Sequence, residues 1–422
     1  MIEWLARLFQ GSITSSTIRV TTILFLRIAV QAGTLLLLTR ILQPESFGIF
    51  VGVSSFAMLV GTLSPFGMNL IILKKLSLPK HEREETLSKS LGTISILSLF
   101  LVAIYIPTST LILPDSRDIT WVIIFIGVAE IIIQPFILLS STSRLAQDKT
   151  AISQIVILLP LAFRLAVSFF LYLADTKNAL FYYSMLYPVL SALALFISVV
   201  TLKPSWPSPK RWRTISLKEA RENFGYALVG TSNRASSEVD KILSVSLLSL
   251  SLAGTYSAAA RVVGAINTPI VGLILAALPK LFKDLDDKRR KEIHQKIFIT
   301  TIIYGASVSA VTYLAAPYIT LIFSEQYNHM EEFIRIMSFS IPVLALRLTG
   351  TNILISIKGA GYRASLEVSG IAIMILFSFI LSGHSILALP YSIIISETCI
   401  SLLSWLYIFF HNKNHKEYPN TQ

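Results

Sequence analysis

The sequence predicts an all-α integral membrane protein with about 12 transmembrane helices in two six-helix bundles around a central cavity. Three observations carry that prediction. First, 53% of the 422 residues are hydrophobic and only 14% are charged, with a mean hydropathy of +0.67. A water-soluble domain carries roughly a quarter charged residues, and so little polar surface could not cover so much apolar side chain in water. Second, the apolar residues come in runs of about 20, long enough for a helix to cross a hydrocarbon core of roughly 30 Å with its backbone groups bonded internally. Third, the charges lie in short connections between those runs. A net charge of +12 on a solvated basic domain would raise nucleic-acid binding first, and this distribution excludes it. One cysteine, Cys399 in an apolar stretch, excludes a disulfide framework and a thiol metal site.

In chain order, residues 1–10 read as an amphipathic entry helix whose apolar face holds Trp4, Leu5, Leu8 and Phe9, without the cleavage site of a signal peptide. The spans follow at 17–39, 47–73, 91–107, 119–143, 152–174, 179–202, 224–248, 252–278, 297–323, 333–357, 366–383 and 386–410. An even number puts both termini on one side. The termini and the connections 74–90, 144–151, 203–222, 280–296 and 358–365 hold 25 of the 36 lysines and arginines, whereas the opposite loops hold Arg40, Arg117 and Lys177. Cytoplasmic loops carry the positive excess, so both termini are expected in the cytoplasm.

The longest polar connection, Lys203-Pro-Ser-Trp-Pro-Ser-Pro-Lys-Arg-Trp-Arg213, separates the sixth span from the seventh and predicts two domains, 1–210 and 211–422. Its prolines stiffen it, and Trp206 and Trp212 beside basic residues suit the headgroup layer. At an offset of 206 residues, Gly48-Ile-Phe50 falls on Gly254-Thr-Tyr256 and Lys74 on Lys280. Equal helix numbers and orientation describe a parallel repeat about the membrane normal, an arrangement that leaves a cavity between the halves.

Eight basic residues lie within spans or at their edges: Arg19, Arg27, Arg164, Arg234, Lys241, Arg261, Arg335 and Arg347. A charge centred in a bilayer costs about 2.5–3.5 kcal/mol on insertion scales, so such groups face a bundle interior or a wet cavity. Helical spacing gathers them into stripes. Arg27, Gln31 and Thr34 share a face of the first span with Arg19. Gly230, Arg234, Ser237, Lys241 and Ser244 line the seventh, with Ser257, Arg261 and Gly264 on the eighth and Arg164, Ser168 and Tyr172 on the fifth.

The acids within spans are Glu130, Glu238, Asp240, Glu367 and Glu397, candidates for ion coupling or charge pairing. By spacing alone Glu238 can neutralise Arg234, Glu331 or Glu332 can pair with Arg335, and Arg363 with Glu367. For those groups pairing and function stay open. Five acids against eight bases leave a surplus of three, which calls for an anion. Arg27 and Arg164 have no acid within four positions and are the leading anion contacts, with Arg234, Arg261, Lys241 and Gln31 beside them. The histidines make no metal spacing, no nucleophile–base constellation occurs, and no phosphate-binding glycine loop marks an ATP-driven pump. The expectation is therefore a transporter rather than an enzyme, with no catalytic residues, no metal and no cofactor.

Several segments resemble one family. Arg40-Ile-Leu-Gln-Pro-Glu-Ser-Phe-Gly-Ile-Phe50 is similar to the motif after the first helix of the polysaccharide-exporting flippases, the Wzx-type O-antigen translocases of the MATE-like (MOP) superfamily. Asn233-Arg234, Asp240-Lys-Ile-Leu243, Ala253-Gly-Thr-Tyr-Ser-Ala-Ala-Ala-Arg261 and Pro279-Lys-Leu281 resemble its seventh and eighth helices, and Phe323-Ser-Glu-Gln-Tyr327 and Lys358-Gly-Ala-Gly-Tyr-Arg363 two further segments. The family often has glycine where this chain has Gln43 and Ser324.

The resemblance implies a bacterial cytoplasmic (inner) membrane protein that moves an undecaprenyl-diphosphate-linked oligosaccharide, an O-antigen, lipopolysaccharide or similar polysaccharide precursor, to the outer leaflet by alternating access. It implies as partners the lipid-linked oligosaccharide, membrane lipids and polysaccharide polymerase or chain-length machinery. The driving force stays open among H+, Na+ and the membrane potential alone. A MATE-type drug or metabolite antiporter is the nearest alternative, and the absence of an acid from the first span argues against it. A membrane-embedded glycan polymerase is more distant, because the outer loops are short.

Overall fold

The computed structural model describes residues 12–74, 80–113, 117–147, 149–200, 206–267, 269–270, 287–323, 325–356 and 360–414. Regular structure among these residues is helical. The order is α1 (Ser12–Gly61), α2 (Met68–Lys74), α3 (Lys80–Ile112), α4 (Arg117–Gly127), a π-helical turn (Val128–Ile133), α5 (Gln134–Leu145), α6 (Thr150–Ala174), α7 (Ala179–Val200), α8 (Leu217–Leu247), α9 (Leu250–Ile266), α10 (Asp287–Thr320), α11 (Met330–Ser338), α12 (Ser340–Ser356), α13 (Ala360–Ser382) and α14 (Ala388–Asn414). The expected entry helix at 1–10, the Pro279-Lys-Leu281 motif and Lys280 lie outside the described residues, as does the side chain of Arg19.

Each expected apolar run falls mainly on one or two of these helices. Among the described residues, eight helices are long and apolar enough to cross a membrane, and nine if α11 and α12, bent by 45° at their junction, are counted together as one span. The difference from 12 has physical causes. The first two expected spans are counted once because α1 runs through both, as two helical stretches joined across a break at Gln43, where the backbone is not helical. Acids, bases and amides make α8 too polar to count by composition, and the described part of α9 is short.

The kink in α1 falls at Gln43, where φ is 58° and ψ is 170°, immediately before Pro44. Proline has no N–H to donate and pushes the preceding residue towards extended ψ. The positive φ lies in a region that glycine enters freely and other residues enter at about 1–3 kcal/mol. The π turn has a related origin. Pro135 cannot donate to the carbonyl four residues back, that of Ile131, and the Ser64 hydroxyl donates to it instead at 3.1 Å. The backbone N–H of Gln134 reaches the Ala129 carbonyl five residues back. Gly61 allows this approach, because any Cβ there would overlap the Glu130 carbonyl. The wider turn carries Glu130 into the interior.

Residue contacts divide the chain into two compact units, Met1–Arg234 and Ala235–Gln422. The division falls inside α8 rather than at 210/211, where the sequence places it. The reason is that the second half of the linker and the first turns of α8 are tied to the N-terminal unit. Arg213 N donates to Ser88 O at 3.3 Å, Ile215 N to Thr93 Oγ1 at 3.1 Å, and Lys89 Nζ to Glu219 Oε1 at 2.7 Å. Trp206 and Trp212 pack on Phe136 at 6.3 and 6.2 Å, against the core of Ile72, Leu87, Leu91, Ile94 and Leu139, so they serve this unit's interior as well as any headgroup layer. Ser216-Leu-Lys-Glu219 starts α8 as a capping box: Ser216 N and Oγ donate to Glu219 Oε2 at 2.8 and 2.9 Å, and Glu219 N donates back to Ser216 Oγ at 3.3 Å.

The C-terminal unit has its core at Ile353, Leu354, Leu366, Ile400, Trp405 and Ile408. Trp405 Nε1 donates to the Leu346 carbonyl at 2.9 Å, which leaves the buried indole satisfied. Gly370 lets α13 approach Ile400 of α14 where a side chain would collide, the close contact that small residues permit between membrane helices. Span hydroxyls mostly bond to their own helix, as Thr34 does to Val30 O at 2.8 Å and Ser168 to Arg164 O at 2.8 Å.

Candidate functional site

The side chains expected to bind an anion separate into two environments. On α1, Arg27 is half-buried and Gln31, one turn on, is exposed. Gly33 lies about 120° round the helix from Arg27 and meets Leu165 of α6, so the Arg27–Gln31–Thr34 stripe is turned away from that packed face. The charge of Arg234, from α8 of the same unit, acts on Arg27. No carboxylate or hydrogen-bond acceptor among the described residues meets the Arg27 guanidinium. Arg234 Nη2 reaches the Met58 thioether at 2.6 Å, a weak acceptor.

Arg164 has the other environment. It is buried, and its Nη2 lies 3.2 Å from Glu130 Oε1 and 3.4 Å from Ser191 Oγ. Its guanidinium sits 3.7 Å over the Tyr187 ring, and the Tyr187 hydroxyl donates to the same carboxylate oxygen. Phe50 packs edge-on against Tyr183 and Tyr187 at 5.4 and 6.3 Å and closes the group from α1. Spacing gives Arg164 no acid within four positions and makes it a leading anion contact; in the structure it has an acid all the same, from a different helix 34 residues away. Ser168 is also buried, so of the fifth span's polar stripe only Tyr172 is exposed.

In the C-terminal unit, Lys241 Nζ lies 3.0 Å from Asp240 Oδ1 and also bonds Ser237 O. Asp240 Oδ2 accepts from the Tyr256 hydroxyl at 2.8 Å, and Tyr256 packs edge-on against Phe333 at 5.8 Å. Arg261 is half-buried on α9, and Glu238 is buried on α8. The largest ionic group was not expected from the sequence. Arg347 Nη1 lies 2.7 Å from Glu367 Oε2, and Arg347 Nε lies 2.6 Å from Glu397 Oε2, joining α12, α13 and α14. Ser236 Oγ adds a hydrogen bond to Glu367 at 3.1 Å. Glu367 therefore forms its ion pair with Arg347, and its charge also acts on Arg363, one turn away on its own helix. Arg335 pairs with Glu331 at 2.7 Å, one of the two partners that spacing allowed.

Four of the five span carboxylates are thus engaged by Arg164, Lys241 and Arg347. Among the described residues no group of three or more His, Cys, Asp or Glu side chains could hold a metal ion.

Comparison with proteins of known structure shows what fold these helices build. The chain is similar to a multidrug-resistance MATE-family transporter of the MOP superfamily in an inward-facing conformation, with a TM-score of 0.71 at 14% identity over 93% of this chain and 96% of that one. It is similar to an outward-facing MATE-family transporter of that superfamily, with a TM-score of 0.61 at 14% identity over 98% and 99%. It also resembles a MOP-superfamily transporter from Pyrococcus furiosus Vc1, described by the reverse polarity of its binding pocket, with a TM-score of 0.62 at 13% identity over 97% and 98%. No curated relative matches the chain in sequence.

The helices and this likeness define an all-α, multi-pass membrane protein with the fold of MOP-superfamily transporters. Residues 13–284 match the polysaccharide biosynthesis protein family, and the chain belongs to it. The kinship read from the sequence motifs is thereby shown.

Proposed function

We infer that this protein is a flippase that moves an undecaprenyl-diphosphate-linked oligosaccharide repeat unit, an O-antigen or similar polysaccharide precursor, from the cytoplasmic to the outer leaflet of the bacterial cytoplasmic membrane. Twelve spans in two six-helix bundles, with both termini in the cytoplasm, alternate access to a central cavity. The observation that carries this reading is Arg27: a half-buried guanidinium in a membrane helix, acted on by a second arginine and met by no carboxylate among the described residues. Leaving it so is costly in a bilayer, and an anionic guest relieves the cost. A diphosphate suits it because guanidinium groups donate to phosphate oxygens in pairs.

Arg234, Arg261, Lys241 and Gln31 are further contacts for the cargo in this reading, and Arg164, already paired with Glu130, is held back from being the first phosphate contact. The membership of a polysaccharide biosynthesis family supports a glycan cargo. The sugar and diphosphate are too polar to cross hydrocarbon unaided, so they travel through a polar path while the lipid tail stays in the bilayer. Carrying about two negative charges out of a cell that is negative inside releases roughly 4.6 kcal/mol per 100 mV, which can drive export without a coupled ion. Glu130, Glu238, Asp240, Glu367 and Glu397 are the carboxylates through which H+ or Na+ would otherwise couple.

The test is translocation of the lipid-linked oligosaccharide in vesicles containing the purified protein. Arg27→Ala should lose translocation while remaining folded and inserted, and Arg27→Lys should retain part of it. Full activity in Arg27→Ala overturns the cationic path. Transport that follows an imposed potential and ignores pH and sodium gradients excludes antiport, and dependence on either gradient excludes the potential as sole driver.

A further inference from the structure

A cavity of about 810 Å³ opens within the N-terminal unit, where the kink of α1, the start of α4 and the turn between α6 and α7 meet. Arg40 of α1 and Lys177 of the turn between α6 and α7 lie on its wall, and the charge bias assigns both to the extracytoplasmic side. The charged residues on its wall are Arg40, Asp118, Asp175 and Lys177, two of each sign. Tyr172 and Tyr182, also on the wall, are 46% and 43% exposed. The Thr176 hydroxyl on the same wall is buried without a hydrogen-bond partner among the described residues.

Aromatic residues at the membrane surface are ordinary, but the backbone of this cavity is not. Two of the four non-glycine residues with positive φ among the described residues, Gln43 at 58° and Asp175 at 43°, lie on its wall. Aspartate tolerates the left-handed region. Gln43, with ψ at 170°, occupies ground that belongs to glycine. A side chain held there at the expense of strain, lining a polar cavity, has work to do in that cavity.

We propose that this cavity is a glycan subsite, which takes the sugar portion of the cargo as a neutral oligosaccharide on the extracytoplasmic side. The proposal rests on the flippase reading. Asp118 and Asp175 accept hydrogen bonds from sugar hydroxyls, the amides of Gln43 and Asn178 both donate and accept, and the tyrosine rings offer apolar faces to the C–H faces of a pyranose. The volume lies in the range of small-ligand sites. The balanced charge gives a diphosphate no advantage here, so recognition is divided between the anion at Arg27 and the glycan at this end of the unit.

The experiment measures binding by calorimetry to the full-length protein in lipid nanodiscs, with two probes. One is the oligosaccharide pool released by mild acid from the polyisoprenyl diphosphate lipids of the source cells, and the other is inorganic pyrophosphate. Gln43→Gly should raise the midpoint of thermal unfolding, weaken the oligosaccharide about tenfold and leave pyrophosphate unchanged. Asp118→Asn with Asp175→Asn should likewise weaken the oligosaccharide alone, and Arg27→Ala should weaken pyrophosphate alone. Oligosaccharide affinity that is unchanged in Gln43→Gly and in the double variant, or undetectable in the wild type, overturns the subsite. Translocation by wild-type vesicles separates the two ideas: if it occurs while sugar binding ignores the cavity, the subsite alone falls, and if it does not occur, the flippase reading falls.

Discussion

A guanidinium inside a membrane protein must find a carboxylate, other hydrogen-bond acceptors or a polar space, and this chain uses all three: Arg144, fully buried, donates to the carbonyls of Ser140 and Ser198 at 2.8 and 2.6 Å. Arg164 and Arg347 are buried against acids from neighbouring helices of their own units. Arg27 is half-buried beside Arg234. These last two kinds should respond differently to mutation. Glu130→Ala leaves the Arg164 guanidinium uncompensated in the interior and should destabilise the protein by about 3–5 kcal/mol, whereas Glu130→Ala combined with Arg164→Leu should cost less than Glu130→Ala alone. Unfolding in detergent, followed by helical circular dichroism, measures both, and strictly additive effects would show that the pair is not coupled.

Among the helices, the local rules that break regularity are also those that build the interior. Pro135 opens the π turn, Ser64 takes over the stranded Ile131 carbonyl, and the resulting bulge presents Glu130 to Arg164. The start of α8 is anchored by charge. Hydrogen bonds from Lys89 first, and from Ser216, hold the Glu219 carboxyl down to about 2 from its ordinary 4.5. Because the folded pKa lies below the unfolded one, this anchorage is complete above about pH 4.5 and is lost as the pH falls towards 2. A nitroxide on Ser208→Cys, in a Cys399→Ala background, should gain mobility over that fall. In Glu219→Gln the label should be mobile already at pH 4.5, and a label indifferent to both changes would show that Lys89 and Glu219 do not hold the linker.

For the whole molecule, the apolar runs set the class and the positive residues predict an orientation. If 25 of 36 basic residues mark the cytoplasmic side, alkaline phosphatase fused after Lys177 should be active and green fluorescent protein fused after Gln422 should fluoresce. The opposite pair of results would reverse the topology and with it the direction of export. The division into units at Arg234 and Ala235 matters for the same reason. The linker and the first half of α8 belong with the N-terminal unit, so Arg234 stands in the same unit as Arg27, although the sequence assigns them to different halves.

The sequence by itself determined the membrane class, the helical segments and the family. Those depend on composition, on run length against bilayer thickness, and on motifs within single segments, all of which are local along the chain. The sequence placed Gln43 and Pro44 in a connection between the first two spans, and neither the near-continuity of the helix there nor the strained φ of Gln43 was legible in it. Only the tertiary structure decided which charges are paired. Helical spacing compares a residue with its own turns, and so it offered Arg363 to Glu367 and no partner to Arg164. The observed partners of Glu367 and Arg164 come from other helices, 20 and 34 residues away. The surplus of three positive charges counted in the spans was a sum over the chain. Folding placed two acids on Arg347 and one on Arg164, and left Arg27 facing another arginine, because burial in a low-dielectric interior forces each enclosed charge to take a partner while a half-buried one keeps part of its solvation.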